Sequence, residues 1–170
     1  IDESAEVILA YLLLYNSNER NRAHIAANGK TERTSTYDGT SHTCHVTAEI
    51  TSPPPIANRF FDAFQIWKKG WNDNPDAYII AFLPKDNDGN TKTASGAVMA
   101  STTGLVVIEP LAPRVSKVKL VQTTDLRIEG KVGELISNYA IKFSLAILED
   151  LLYKYQRTSK IVDKEIRSEF

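Results

Sequence analysis

Cysteine is nearly absent from this sequence: Cys44 is the single one among 170 residues, which excludes a disulfide within the chain. Asn-x-Ser/Thr glycosylation sites and a charged-then-apolar leader are also absent, and these absences together predict an intracellular, cytoplasmic protein. An excess of one charge is lacking too, since 20 Lys and Arg face 21 Asp and Glu. Without a broad positive field, nucleic acid is not expected as a partner.

Long apolar runs are missing as well. The longest, residues 7–15, is about half of what spans a bilayer. With 42% hydrophobic and 24% charged residues, the composition is that of a globular protein. The length fits one domain covering residues 1–170, with a polar tail at 157–170. Because the chain begins with Ile1 rather than Met, we expect it to be a fragment of a longer protein.

The pattern of turn and apolar residues predicts helices at both ends of the chain and strands between them. Residues 2–15 favour a helix with Ser4 as its N-cap, and residues 19–27 favour a second helix that ends at Gly29. Six β-like runs follow without an intervening helix, at 31–37, 41–50, 58–68, 76–83, 94–109 and 114–126. Consecutive strands of this kind predict an antiparallel meander.

A long helix is predicted from about residue 132 to residue 156. Its apolar side chains sweep most of the helical circle, and its polar ones cluster in a narrow arc. Such a helix must be covered on more than one side, most simply by a curved sheet.

Three stretches sharpen this outline: NRFFDAFQIWK at 58–68, VIEP at 107–110 followed by SKVKLVQTTDL at 116–126, and GKVGELISN at 130–138. In this order they resemble START domains (steroidogenic-acute-regulatory-related lipid transfer), over about residues 4–156. The resemblance implies an α+β helix-grip fold, with a curved antiparallel sheet packed on the long C-terminal helix. Two departures stand out, because Gly133 replaces the usual Pro, and the family's first helix and early strands are missing or lie upstream.

The resemblance also implies a hydrophobic cavity between sheet and helix that binds a sterol, a phospholipid or a fatty acyl lipid, without a cofactor. The face of each element that should point inward supplies the predicted ligand-binding residues. They are Arg59, Phe61, Gln65 and Trp67 on the third strand, Val118, Leu120 and Gln122 on the last strand, and Tyr139, Phe143, Ile147 and Asp150 on the helix.

Two charged members of that set have alternative explanations. Arg59 either lies in water at its strand end or, if buried, needs a carboxylate such as Glu49 or a ligand head group. Asp150 either pairs with Lys154 one helical turn away or anchors one end of the cavity. An inward Gln122 needs a partner or water.

Catalytic and metal signatures are thin. His42 and Cys44 share one face of a strand while His45 points to the other, so we expect no metal site. Without a nucleophile or phosphate-loop motif, the protein is not expected to be an enzyme. A cyclase or dehydratase of the same fold, using Asp150 or Glu49, stays an alternative, as does a regulatory interaction module with a filled core. The segment 67–71 is either a lip for transient membrane contact or ordinary strand-end packing.

Overall fold

The structure is a computed structural model, and it describes residues 1–29, 33–37, 42–52, 54, 56–85, 93–128, 145 and 147–155. Its elements are α1 (Ala5–Leu13), α2 (Asn18–Asn28), β1 (Arg33–Tyr37), β2 (Thr43–Ile50), β3 (Arg59–Trp71), β4 (Asn74–Pro84), β5 (Val98–Ala112) and β6 (Val115–Asp125). Residues 145 and 147–155 are helical and are called the C-terminal helix below. Tyr139, Phe143, the rest of the predicted helix and the tail at 157–170 lie outside the described residues.

The predicted cap residues begin α1 and end α2, but α1 ends at Leu13, two residues before its predicted end. The Ser4 hydroxyl accepts a hydrogen bond from the backbone N–H of Val7, which caps α1. Ser17 caps α2 in the same way, and Gly29 ends α2 with a φ of 73°, a conformation that favours glycine.

The six strands form one sheet in the order β1-β2-β3-β4-β5-β6, and each is antiparallel to the next. The predicted meander is therefore confirmed, with one addition. Where β4 ends at Pro84, the start of β5 pairs in parallel with the start of β3, from Arg59 to Phe61. This extra pairing lets β5 contact two strands at once and accompanies the curvature of the sheet.

The largest differences from the predicted strands are at the end of β3 and at both ends of β5, which begins at Val98 rather than at residue 94. β3 continues through Gly70, where the pairing register shifts, to Trp71. Gly70 has a φ of 87°, so a bulge is accommodated there and the strand does not end. Pro110 also lies inside β5, opposite Ser116, rather than between two strands.

The core lies on the concave face of the sheet, where α1 fills one end. The buried cluster there joins α1, β4, β5 and the C-terminal helix through Ala5, Ile8, Leu9, Leu12, Tyr78, Ile80, Val106, Ile108 and Leu151. A curved antiparallel sheet that holds helices on its concave face is the predicted α+β helix-grip fold. Among the helices that the structure describes, none is both long and apolar enough to cross a bilayer.

Candidate functional site

A cavity of about 70 Å³ lies on the concave face beyond the end that α1 fills. Five strands, the segment after α1 and the C-terminal helix line it, through Tyr15, Val46, Ala48, Phe61, Ala63, Phe82, Thr102, Gln122 and Ile147. Two causes leave this space open. α1 ends at Leu13 and does not reach it, and the inward positions on the central strands hold the small residues Ala48 and Ala63.

The cavity lies between the sheet and Ile147 of the C-terminal helix. Its volume is well below the roughly 300–1,000 Å³ of typical ligand pockets. Phe61, Phe82 and Ile147 are among the large side chains that border it.

Three of the predicted ligand-binding residues line this cavity: Phe61, Gln122 and Ile147. Gln122 also has the partner that an inward amide requires, since its Nε2 donates to Thr124 Oγ1 at 2.9 Å.

Three other predicted residues point inward but pack against the α1 core cluster instead of the cavity: Trp67, Val118 and Leu120. The indole of Trp67 also stacks on the His42 ring, with 4.2 Å between ring centroids. The segment 67–71, predicted as a loop edge, belongs to β3. Packing against the core cluster and stacking on His42 therefore account for the position of Trp67.

Arg59 is buried, and backbone carbonyls bind its guanidinium. Its Nε donates to the carbonyl of Leu126 at 2.6 Å, and one terminal nitrogen donates to the carbonyls of Ala57 and Asn58. The side chain therefore does not lie in water at a strand end. It joins the start of β3 to the chain leaving β6.

Glu49, the carboxylate suggested as the partner of Arg59, lies on the opposite face of the sheet. Its register partner is Phe60, whereas Arg59 pairs with Ile50. Asn58 Nδ2 and Ser95 Oγ each donate to its carboxylate at 2.8 Å. Glu49 does not line the cavity and is not placed to act as an acid there.

Gln65 is completely buried on the concave face, between Cys44 and Phe82 in the sheet register. Its Oε1 has no hydrogen-bond partner in the described part of the chain. An unsatisfied buried acceptor costs about 1–3 kcal/mol. Phe82 and the preceding inward residue Ala63 line the cavity, whereas Gln65 itself does not.

Asp150 connects the C-terminal helix to α1. Its carboxylate accepts a hydrogen bond from the Tyr11 hydroxyl at 2.5 Å. Lys154, the expected partner of Asp150, instead pairs with Glu19 of α2 at 2.5 Å and lies 4.3 Å from the centroid of the Tyr11 ring. Asp150 thus closes the contact between the two helices and does not line the cavity.

This contact predicts a pH dependence. Burial, together with the hydrogen bond to Asp150, raises the pKa of Tyr11 well above its usual value near 10. Above pH of about 10, Tyr11 loses its proton in the unfolded state but keeps it in the folded state, because the pKa of the folded state is higher. The free energy of unfolding therefore falls as the pH rises above about 10. We expect Tyr11→Phe to reduce this alkaline loss in urea titrations at pH 8 and pH 11. Equal losses in both proteins would contradict the assignment.

The cluster of two histidines and a cysteine is divided between the two faces of the sheet. Cys44 is buried on the concave face, whereas His45 Nε2 bonds with Asp62 on the convex face. His42 stacks on Trp67, as described above. Within the described ranges, no three His, Cys, Asp or Glu side chains come together as a metal ligand set.

Arg33 is a residue of the site region that sequence reasoning missed. It lies on the edge strand β1, opposite Ala48, and its guanidinium carbon is 3.5 Å from the centroid of the Tyr15 ring. Both neighbours line the cavity. The hairpin register could have placed Arg33 on the concave face, but its contact with Tyr15 depends on where α1 lies.

Comparison with models of protein families and with curated protein sequences gives no match. Comparison with solved structures finds human STARD10, with a TM-score of 0.64 and 16% identity, over 99% of this chain and 64% of that chain. A STAR-related lipid transfer protein from Xanthomonas axonopodis matches with a TM-score of 0.64 and 15% identity, over 92% of this chain and 82% of that chain. The human StarD13 lipid transfer and protein localization domain matches with a TM-score of 0.55 and 17% identity, over 76% of this chain and 61% of that chain.

These matches show a START-like fold, as the sequence motifs predicted. The chain spans less than two thirds of the STARD10 and StarD13 chains, and most of the bacterial one.

Proposed function

We propose that this protein binds a hydrophobic small molecule (a sterol, a phospholipid or a fatty acyl lipid) between the concave face and the C-terminal helix, and carries or senses it without catalysis. One observation carries the proposal: an apolar cavity lies between the sheet and the helix of a START-like fold. Two of the proteins with similar structures, the human StarD13 domain and the Xanthomonas axonopodis protein, are described as lipid transfer proteins or domains. The ligand would be taken up during transient contact with a membrane.

The energetics of the cavity support this proposal. The lining of the cavity is mostly apolar. An apolar group that enters it leaves water, which contributes roughly 25 cal/mol per Å² of apolar surface buried. The protein is therefore stabilised when such a ligand binds.

The test is native mass spectrometry of the purified protein, combined with binding of Nile red, a neutral fluorescent probe. We expect a hydrophobic molecule to co-purify and to be displaced by the probe. A protein that carries no bound mass, even after incubation with mixed lipids, and does not bind Nile red would overturn the proposal.

Ala63→Leu is expected to weaken Nile red binding about tenfold or more, because the added isopropyl group fills the cavity and a ligand loses that apolar burial. Its stability in urea should be unchanged or higher, since the new side chain enters an existing void. The matched control is Ala77→Leu, at a fully buried position that does not line the cavity. Overpacking there should cost about 1–3 kcal/mol and leave probe affinity unchanged. Comparable destabilisation by both variants, with probe binding intact, would show that the space is not a ligand site.

A second candidate, a regulatory interaction module without a ligand, is favoured by the small volume of the cavity. It predicts the opposite outcome of the same experiments. The purified protein would carry no bound molecule, and Ala63→Leu would only stabilise it.

A further inference from the structure

Arg33 has a feature that the packing of the fold does not explain. Its Nε is buried and has no hydrogen-bond partner among the described residues. Its guanidinium stacks on Tyr15, and no carboxylate in the described part of the chain forms an ion pair with it. A half-buried cation that forms no ion pair in the described part of the chain is costly, whereas an arriving anion that pairs with it would be stabilised.

The neighbouring charges add to this positive potential. Arg20 lies over the same Tyr15 ring, with its guanidinium carbon 5.4 Å from the centroid. Its own donors are satisfied, because one terminal nitrogen donates to the carbonyls of Tyr11 and Leu12. Burial, reinforced by the charge of Arg20, lowers the pKa of Arg33. Asp150, the carboxylate that acts on Arg33 from the C-terminal helix, is bonded to the hydroxyl of Tyr11.

The position of this cation relates it to the cavity. Tyr15, on which it stacks, and Ala48, its partner across the β1–β2 pair, both line the apolar space. A molecule with its apolar part in the cavity could therefore place a polar end against Arg33. Gln65 does not compete for an anion, because its unpartnered atom is an acceptor oxygen.

We propose that the ligand is an anionic amphiphile, and that Arg33 binds its oxyanion (a carboxylate or a phosphate) while its hydrocarbon chain occupies the cavity. This proposal rests on the proposed function and specifies its ligand class. The planar guanidinium presents parallel N–H donors that match the oxygens of either group. Neutral sterols lack this group and would leave the charge of Arg33 unpaired.

The experiment measures displacement of Nile red by decanoate, decyl phosphate, methyl decanoate and inorganic phosphate. In the unaltered protein, decanoate and decyl phosphate should compete about tenfold or more better than methyl decanoate, because the bond to Arg33 is charge-assisted. Inorganic phosphate should not displace the probe. If it binds as tightly as decyl phosphate, the site takes a free anion and the amphiphile proposal is overturned.

Arg33→Gln should abolish the preference for the acids and leave the affinity for methyl decanoate unchanged. Arg33→Lys keeps the charge and should retain part of the preference, which provides a test if the Gln variant folds poorly. Arg22→Gln, at an exposed position on α2, is the control and should behave like the unaltered protein.

The outcomes also separate this proposal from the function on which it rests. If Nile red binds and the acid and its methyl ester displace it equally, the ligand class is wrong and hydrophobic binding stands. If Nile red does not bind and no molecule co-purifies, the proposed function fails, and the anionic ligand fails with it.

Discussion

Leu151→Ala is expected to lower the free energy of unfolding by about 2–5 kcal/mol. Leu151 is completely buried and packs into the core cluster that α1 forms with β4 and β5. Truncation removes the buried methyl groups and leaves a void among Ile8, Ile80 and Val106, whose backbones belong to three different elements. These elements cannot all move to fill the void. Equilibrium denaturation in urea measures the loss.

Leu152→Ala is the matched control, since it removes the same atoms from the adjacent position. Leu152 is 46% exposed, so its truncation should change stability by no more than about 0.5 kcal/mol. If both variants lost the same stability, the assignment of Leu151 to the buried side of the C-terminal helix and of Leu152 to its exposed side would be wrong. The position of Ile147 over the cavity would then be wrong as well.

Arg59→Met is expected to cost about 1–3 kcal/mol, because it leaves the buried carbonyl of Leu126 without its donor. Arg59 is 5% exposed, and its guanidinium binds carbonyls before β3 and after β6. Met keeps the aliphatic stem and most of the volume, so the effect reports the hydrogen bonds rather than a cavity. Chemical denaturation of the variant, followed by circular dichroism, gives the value.

Lys117→Met provides the comparison, since Lys117 is exposed on β6 and its loss should be almost neutral. The outcome also decides between two roles for Arg59. A residue that holds a ligand head group would lose probe affinity and keep stability when replaced by Met. Large destabilisation, with the affinity of the remaining folded protein for Nile red unchanged, is the result that the structure predicts.

The strands could be predicted from the sequence because each carries its own local signal. In β2 the apolar residues Cys44, Val46, Ala48 and Ile50 alternate with polar ones, and the structure buries those four. Such a two-residue period depends only on neighbouring positions, so it can be recognised without knowing the partner strands. The same holds for the caps at Ser4 and Gly29.

What covers each inward residue could not be predicted, because this depends on where α1 lies. Phe61 and Trp67 lie on the same face of β3. Trp67 packs against the core cluster that contains α1, whereas Phe61 lines the cavity. The local pattern is identical at both positions. The division of the concave face into a filled end and an open end follows from the length of α1 and from the path of the chain after Leu13.

Long-range pairing explains the remaining differences. The spacing of Asp150 and Lys154 favours a pair along one helix, but each finds a partner on another helix, Tyr11 and Glu19. An exposed pair within a helix contributes only about 0.3–0.5 kcal/mol, so tertiary contacts easily replace it. Arg33 was missed for the same reason, since Tyr15 precedes it by a helix and a turn.

The pairing of Tyr11 with Asp150 joins residues that are 139 positions apart in the chain, which has a consequence for folding kinetics. The β-hairpins of the meander can form from neighbouring segments as soon as they emerge from the ribosome. The cluster that contains Leu151 cannot be completed until residue 151 has left the ribosome. Contacts of such high sequence separation slow folding, because closing a long loop costs entropy before the contact compensates for it. We therefore expect the nascent sheet to expose its apolar concave face until the C-terminal helix docks, and to depend on chaperones during that interval.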